Sequence, residues 1–243
     1  MNELSKLMRE RHSARVVFDP KRRIPEKDLK QILEAARWAT TAHNMQNFEL
    51  IVVDDKNLLE AIGKIKHGIS MTFVRENFSQ LSFSEEELRQ RKVGILGTMF
   101  PPSWRNPDIK KETITNEGRS LYMGKLIRSS SALLFMLYDP RRRAPASHGD
   151  FLGIMSLGCV MENIWLMANS LGIGVHILSS LSAGPVADKI KTILKIPRRL
   201  KIACSLRLVY PVLPVKCLRV RRGIEDFTGQ NRFEKETSCC KSE

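Results

Sequence analysis

From Asp150 to Leu171 the chain is apolar nearly all the way round a helix: Phe151, Ile154, Met155, Leu157, Val160, Met161, Ile164, Trp165, Met167 and Leu171 leave little of its circumference for water. A helix of that composition has to lie at the centre of the molecule or in an interface between subunits. It is long enough to cross a bilayer. Glu162 and Asn163 stand in its middle, however, where lipid would penalise them, so it reads as a core helix and no membrane association is expected. Gly158 leaves room for another helix to approach closely. The first residues, Met1 to Lys6, turn into an amphipathic pattern rather than the apolar core of a leader peptide, which predicts a cytoplasmic protein.

Around that helix the sequence alternates helical and extended signals. Leu4, Leu7 and Met8 share one helical face that ends near Arg11, and a second helix opens after Pro25 with Glu26 and Asp28 in its first turn and a stripe of Leu29, Ile32, Leu33 and Ala36. Phe48 to Val53 is a short continuous apolar run, which predicts a strand buried on both faces, and Ala132 to Leu137 predicts a second. After Gly172 and Gly174 come a strand from Val175 to Leu178, a helix opened by Pro185, and a strand from Ile202 to Val209. With 243 residues the chain can bury one sizeable core. The order of elements predicts an α+β fold, a sheet with helices on both faces, in a single domain over residues 1–230. Residues 64–125 lack a clean period apart from a helix signal at Ser84 to Arg91, and read as an insertion, either a lid or an excursion that packs on a neighbouring subunit. Residues 231–243 form a polar tail.

The cysteines (Cys159, Cys204, Cys217, Cys239 and Cys240) show no C-x-x-C spacing and no histidine pair beside them, so they read as free thiols and no metal site is expected. A formal net charge of +14 raises nucleic acid as a partner. The positive charge is concentrated: Lys189, Lys191, Lys195, Arg198, Arg199, Lys201, Arg207, Lys216, Arg219, Arg221 and Arg222 follow Asp188 with no acid before Glu225. That stretch is either an anion site or a solvated basic face. Aromatic residues are only 7% of the chain and are not interleaved with the basic ones, so nucleic acid is not the expected partner. Arg141-Arg142-Arg143, after Asp139-Pro140, is a basic turn open either to a phosphate or an acidic partner, or simply to solvent.

Four short segments carry chemistry. Arg11-His12-Ser13-Ala14-Arg15 sets two guanidinium groups about a hydroxyl just before Phe18-Asp19, a donor set that suits phosphate oxygens, although a helix end on a basic protein has the same look. Trp38-Ala39-Thr40-Thr41-Ala42-His43-Asn44-Met45-Gln46-Asn47-Phe48 is a small-residue turn leading into a strand. Gly172-Ile173-Gly174-Val175-His176-Ile177-Leu178-Ser179-Ser180 ends in a pair that also suits a turn or helix cap. Arg219-Val220-Arg221-Arg222-Gly223-Ile224-Glu225-Asp226-Phe227 joins a basic run to an acidic and apolar turn.

Taken in order, these segments resemble the FMN-dependent nitroreductase family. The first is similar to its opening basic-Ser-x-(Arg/Lys) motif followed by Phe-Asp, with one extra residue before the Phe. The second is similar to its Asn-x-Gln-Pro-Trp turn, with Asn47 and Phe48 in place of Pro-Trp. The third resembles the segment that runs under the flavin, and the fourth the C-terminal basic-x-Arg motif. The resemblance implies a three-layer α/β/α fold with a mostly antiparallel central sheet, and an interwoven homodimer with FMN at the subunit boundary. It further implies electron transfer from NADH or NADPH through flavin N5 to a small organic acceptor such as a nitroaromatic, quinone or enone, in two half-reactions. Carried over residue by residue, the cofactor-binding set is Arg11, His12, Ser13 and Arg15, then Thr41, Asn44 and Gln46, then Ser179 and Ser180 through their backbone amides, and Arg219 and Arg221. Amides at Ser179 and Ser180 would stabilise the charge that reduction puts on the ring. Lys125 falls near the position of a lysine that relatives place by the flavin's pyrimidine edge. No side chain is assigned as acid or base; His176 and Glu162 read as satisfied structural residues. Two other functions stay open: same-fold chemistry such as reductive dehalogenation or flavin fragmentation, and a non-enzymatic basic protein that binds anions or nucleic acid.

Overall fold

The computed structural model describes residues 2–15, 18–19, 21–66, 78–92, 97, 116–211 and 218–232. The chain divides into two compact units, one of residues 1–71 with 112–215 and one of residues 72–111 with 216–243.

The first unit is built on a four-stranded sheet in the order β1-β2-β4-β3, with β1 Phe48–Val53, β2 Ala132–Tyr138, β3 Gly174–Ile177 and β4 Lys201–Val209. All three pairings are antiparallel: Phe48 faces Tyr138, Ala132 faces Leu208 and Gly174 faces Val209. The second strand is buried at every position because it has a neighbour on each side and a helical layer on each face. β1 packs on both faces as expected, Ile51 and Val53 towards one core and Phe48, Leu50 and Val52 towards the other. It is an edge strand, mostly half-buried, with Glu49 exposed.

Alternation along β2 and β4 sends side chains to two separate cores. Leu133, Phe135 and Leu137 pack with Leu59 and Ile62 of α3 (Lys56–Gly63), with Met123, Leu126 and Ile127 of α5 (Asn116–Arg128), and with Ala187 and Ile190 of α7 (Gly184–Ile193). On the opposite face Leu134, Met136, Leu206 and Leu208 meet Ile32 and Ala36 of α2 (Glu26–Arg37) and Val160, Ile164 and Trp165 of α6 (Phe151–Ser170). The unit is thus a three-layer α/β/α sandwich of α+β type.

The long apolar helix is two-sided after all. Gly153, Ser156, Leu157, Val160, Ile164, Trp165 and Ala168 of α6 face the sheet. Phe151, Ile154 and Met155 remain 65%, 48% and 55% exposed, continued by the exposed Gly158 and Cys159. Gly172 ends this helix with φ +70, a left-handed geometry in which the amides of Leu171, Gly172 and Ile173 donate to Met167, Asn169 and Ala168. By length and composition α6 would suffice to cross a membrane.

In the second unit, α4 (Glu85–Arg91) is closed by a capping box: the Ser84 hydroxyl accepts from the Glu87 amide and the Glu87 carboxylate accepts from the Ser84 amide. Leu88 is its buried anchor. The lid-or-excursion reading of residues 64–125 falls largely on residues outside those described, as do Cys217 and the Cys239-Cys240 pair.

Candidate functional site

α1 (Glu3–Glu10) opens on an Asn2 side-chain cap and delivers Arg11 to α6. There the guanidinium lies over the Trp165 ring at 4.6 Å, with Nε 3.0 Å from Glu162 Oε1. That approach is an ion pair without hydrogen-bond alignment, and Nε is left with no hydrogen-bond partner. The Trp165 indole donates to the His12 carbonyl at 3.3 Å, fixing the backbone of the motif to the same helix. His12 turns its own Nδ1 towards the Glu10 carbonyl, 2.8 Å away.

The next residues run beside the free edge of β3. Ser13 bridges Val175 in parallel, and the Ala14 amide donates to the Val175 carbonyl at 2.8 Å. Such close approach requires Gly174, because a Cβ there would stand 2.6 Å from Ala14 Cβ. Glycine here serves contact rather than a turn.

The Thr41-to-Asn47 segment is fastened to the other half of α6. The Ala42 amide donates to Ser156 Oγ at 2.9 Å, the Gln46 amide donates to Thr41 Oγ1 at 3.1 Å, and Gln46 Nε2 donates to Asn44 Oδ1 at 3.3 Å. His43, Asn44 and Gln46 all have φ between 46 and 51. Asparagine and histidine tolerate that region better than most residues, while glutamine is held there at a cost of about 1 kcal/mol or more. Asn47 is buried, with Oδ1 unpaired and its amide nitrogen against Gly153. Ser156, which holds this turn, and Glu162, which meets Arg11, are about 9 Å apart along the helix axis. Within one chain, the predicted turn and the predicted clamp therefore occupy different stretches of α6.

Beyond β3 the chain enters a 3-10 turn, Ser179–Ser182. Ser179 and Ser180 are its first residues, so their amides precede its first internal hydrogen bond. Ser182 is on the wall of a cleft of about 450 Å³, whose lining includes Ile154, Gly158 and Met161 from α6 and Met136 and Cys204 from the sheet. A side chain at Gly158 would meet nothing within 4 Å, so the α6 wall is open there. Burial pushes the Cys204 thiol up to about 11, which keeps it protonated and chemically quiet.

One feature of the site went unread in the sequence. His176 and Arg207 face each other across β3 and β4, and both are buried. Arg207 Nε donates to Ser130 Oγ at 3.0 Å and Nη2 to Ser129 Oγ at 2.8 Å. Both hydroxyls pass the bond on to the Leu126 carbonyl in the last turn of α5, whose dipole favours a cation. The guanidinium also stacks on Phe18 at 3.9 Å, and its Nη1 finds no partner. Burial lowers the Arg207 pKa to about 9, so it stays charged at neutral pH. The expectation that His176 is a satisfied structural residue fails: Nδ1 is buried and unpaired. Burial first, then the charges of Arg15 and Arg207, bring its pKa down to about 3. Its location in the segment 172–180 marked the position, but nothing local announced an arginine across the sheet.

The remaining sequence candidates are placed as follows. Glu162 is the partner of Arg11. Lys125 is exposed on α5. Arg141 is committed to Asp139, with Nε to Oδ1 at 3.0 Å and Nη2 to Oδ2 at 2.8 Å, and these bonds hold the carboxyl far below its usual range. Arg219 and Arg221 belong to the second unit and are exposed there, Arg221 donating to the Val220 carbonyl at 2.7 Å.

No curated protein matches the chain. Among solved structures, a nitroreductase with bound FMN from Desulfitobacterium hafniense is 21% identical, with a TM-score of 0.59 over 96% of this chain and 100% of that one. A nitroreductase with bound FMN from Bacteroides fragilis is 20% identical, with a TM-score of 0.57 over 92% and 97%. A Parabacteroides distasonis protein, provisionally named NADH dehydrogenase/NAD(P)H nitroreductase, is 11% identical, with a TM-score of 0.62 over 96% and 100%. At such identities the likeness establishes the fold. The sequence model of the nitroreductase family matches residues 8–208, a span that takes in the arginine-serine segment, every strand of the sheet and the cleft, and on that match the chain belongs to the nitroreductase family.

Proposed function

We propose that this protein is a cytoplasmic FMN-dependent oxidoreductase that passes electron pairs from NADH or NADPH to a small organic acceptor such as a nitroaromatic, quinone or enone, and that it works as a homodimer. The observation that carries the reading is the docking of Ser13 and Ala14 on β3, which sets the arginine-serine motif beside the strand that leads directly to Ser179 and Ser180 and the apolar cleft. Solved relatives from Desulfitobacterium hafniense and Bacteroides fragilis hold FMN.

The residues fit that cofactor at both ends. Arg11, Ser13 and Arg15 offer guanidinium and hydroxyl donors for the phosphate, with His12 alongside, and the unaligned Arg11 Nε is a donor still to be used. The first amides of the 3-10 turn suit the polar edge of the ring, and the open wall at Gly158 leaves room beside it. FMN, once bound, supplies the two-electron chemistry, and the chain's part is to bind, orient and exclude water. Glu162 is the built-in competitor for Arg11, to be displaced or shared when phosphate arrives.

The second copy has a specific task in this reading. Thr41, Asn44 and Gln46 sit on a different stretch of α6 from the clamp, so their contribution to a flavin comes from a partner whose α6 crosses the exposed face of Phe151, Ile154 and Met155. On the resemblance alone, Arg219 and Arg221 are further candidates for phosphate contacts.

The test is an absorbance spectrum of the purified protein, reconstituted with FMN if colourless, followed by anaerobic NADH and then NADPH. Flavin bands bleached by either donor are expected. Failure to hold FMN at all refutes the reading. In flavin titrations Arg11→Ala should weaken FMN binding about tenfold or more, as loss of a charge-assisted contact does.

A further inference from the structure

We propose that Arg207 sets how readily a flavin bound in this site accepts electrons: its buried charge, offset by no carboxylate, stabilises the reduced ring and raises the reduction potential. The inference rests on the FMN reading above and adds to it a residue outside the cofactor-binding set.

Arg207 is fully buried, and its partners are uncharged: the Ser130 and Ser129 hydroxyls at 3.0 and 2.8 Å and the Phe18 ring at 3.9 Å. Other arginines of the same unit meet an acid, Arg11 at Glu162, Arg128 at Glu60 and Arg141 at Asp139. No described carboxylate pairs with Arg207, and its Nη1 has no partner. The negative end of α5 is the one compensation, worth about half a unit charge. His176, opposite it on β3, brings no counter-charge, because burial and the charges of Arg15 and Arg207 keep the imidazole neutral. Stability alone does not account for such a residue, since an apolar side chain of similar volume commonly replaces a buried charge at no loss.

The placement supplies another role. His176 stands three residues before Ser179, on the strand that leads into the 3-10 turn whose first amides suit the polar edge of the ring. At the rise of a strand, Arg207 is then about 10 Å from those amides. Two electrons and one proton convert the oxidised ring to its reduced anion and leave one negative charge on it. At about 10 Å and an effective dielectric of about 20, a unit positive charge favours that anion about tenfold, equivalent to about 30 mV for a two-electron couple. A fixed charge does this without contact and without reorganising when the electrons arrive.

The experiment is an anaerobic reductive titration of the FMN-loaded protein against a reference dye, for wild type, Arg207→Met and Ser129→Asp. The first variant keeps much of the bulk and removes the charge. The second leaves the guanidinium in place and sets a carboxylate beside Nη2, at a position that is only partly buried and so decides the matter if Arg207→Met does not fold. Both should lower the potential by about 30 mV, a tenfold shift of the equilibrium towards oxidised flavin. Unmoved potentials overturn the proposal, and so does a loss of FMN affinity at unmoved potential, which makes Arg207 a purely structural residue. The two ideas fail separately. A wild type that holds no flavin refutes the cofactor reading on which this one rests, whereas loaded variants with the wild-type potential leave that reading intact and remove only the role of Arg207.

Discussion

Neutral His176 should make the protein acid-labile in a way that one substitution cures. The folded-state pKa of this buried imidazole is about 3, against 6.5 for the free side chain. As pH falls below 6.5 the unfolded chain takes up a proton that the folded chain refuses, so stability is present above that value and is lost progressively towards pH 3. Protonating the unfolded state alone costs about 2 kcal/mol of stability between pH 7.5 and pH 5, a large share of what a domain of this kind has. His176→Gln removes the titration while keeping a polar side chain of similar reach. Urea unfolding at pH 7.5 and pH 5 for both proteins measures the effect directly, with the difference between their losses as the quantity of interest. Wild type should lose about 2 kcal/mol more than the variant. Parallel losses would refute the reasoning, and would mean that the imidazole finds a proton acceptor or water in the folded state. Burial is the largest cause of the depressed value, and the charges of Arg15 and then Arg207 add to it.

Three further results are expected. Gly174→Ala should push the Ala14 segment off the β3 edge, costing about 1–3 kcal/mol in denaturation and weakening FMN binding in a flavin titration; unchanged values for both would show that the approach is slack. Ser130→Ala strands Arg207 Nε and should cost about 1–3 kcal/mol in the same unfolding assay, with a loss under half that arguing for a water in its place. Met155→Lys, on the exposed face of α6, should convert the proposed dimer to monomers in sedimentation and lower flavin content, and a variant that remains dimeric would move the interface elsewhere.

Periodicity carried the framework but not its pairings. The apolar runs at 48–53, 132–137 and 202–209 and the helix from 151 to 170 were visible because long uninterrupted apolar segments have few other readings. α5 was not. Gly124 interrupts it, and Met123, Leu126 and Ile127 are too few to form a clear stripe, although all three are buried in the finished core. The place of β1 at the sheet edge was not legible, because a six-residue apolar run gives no sign of whether a second strand will pair with it. The arginine-serine motif could be read as a donor set, yet the engagement of Arg11 by Glu162 and Trp165 joins residues far apart in sequence, and no local pattern encodes it. The same holds for Arg207. In the sequence it was one of a basic stretch read as an anion site or a solvated face, and its burial depends on two serines and a helix end contributed by another part of the chain.

The strand order has a kinetic corollary. Phe48 must find Tyr138, and Ala132 must find Leu208, before the centre of the sheet exists, and no paired strands are joined by a tight turn among the described residues. Each pairing closes a long loop before any contact repays the lost freedom, which places such a chain among slow folders rather than microsecond ones. During that search β2, apolar at every position, is the segment left most open to the wrong neighbour. During synthesis β1, β2 and the long helix leave the ribosome before β4 does, so the central strand waits with one side unpaired until the last third of the chain arrives.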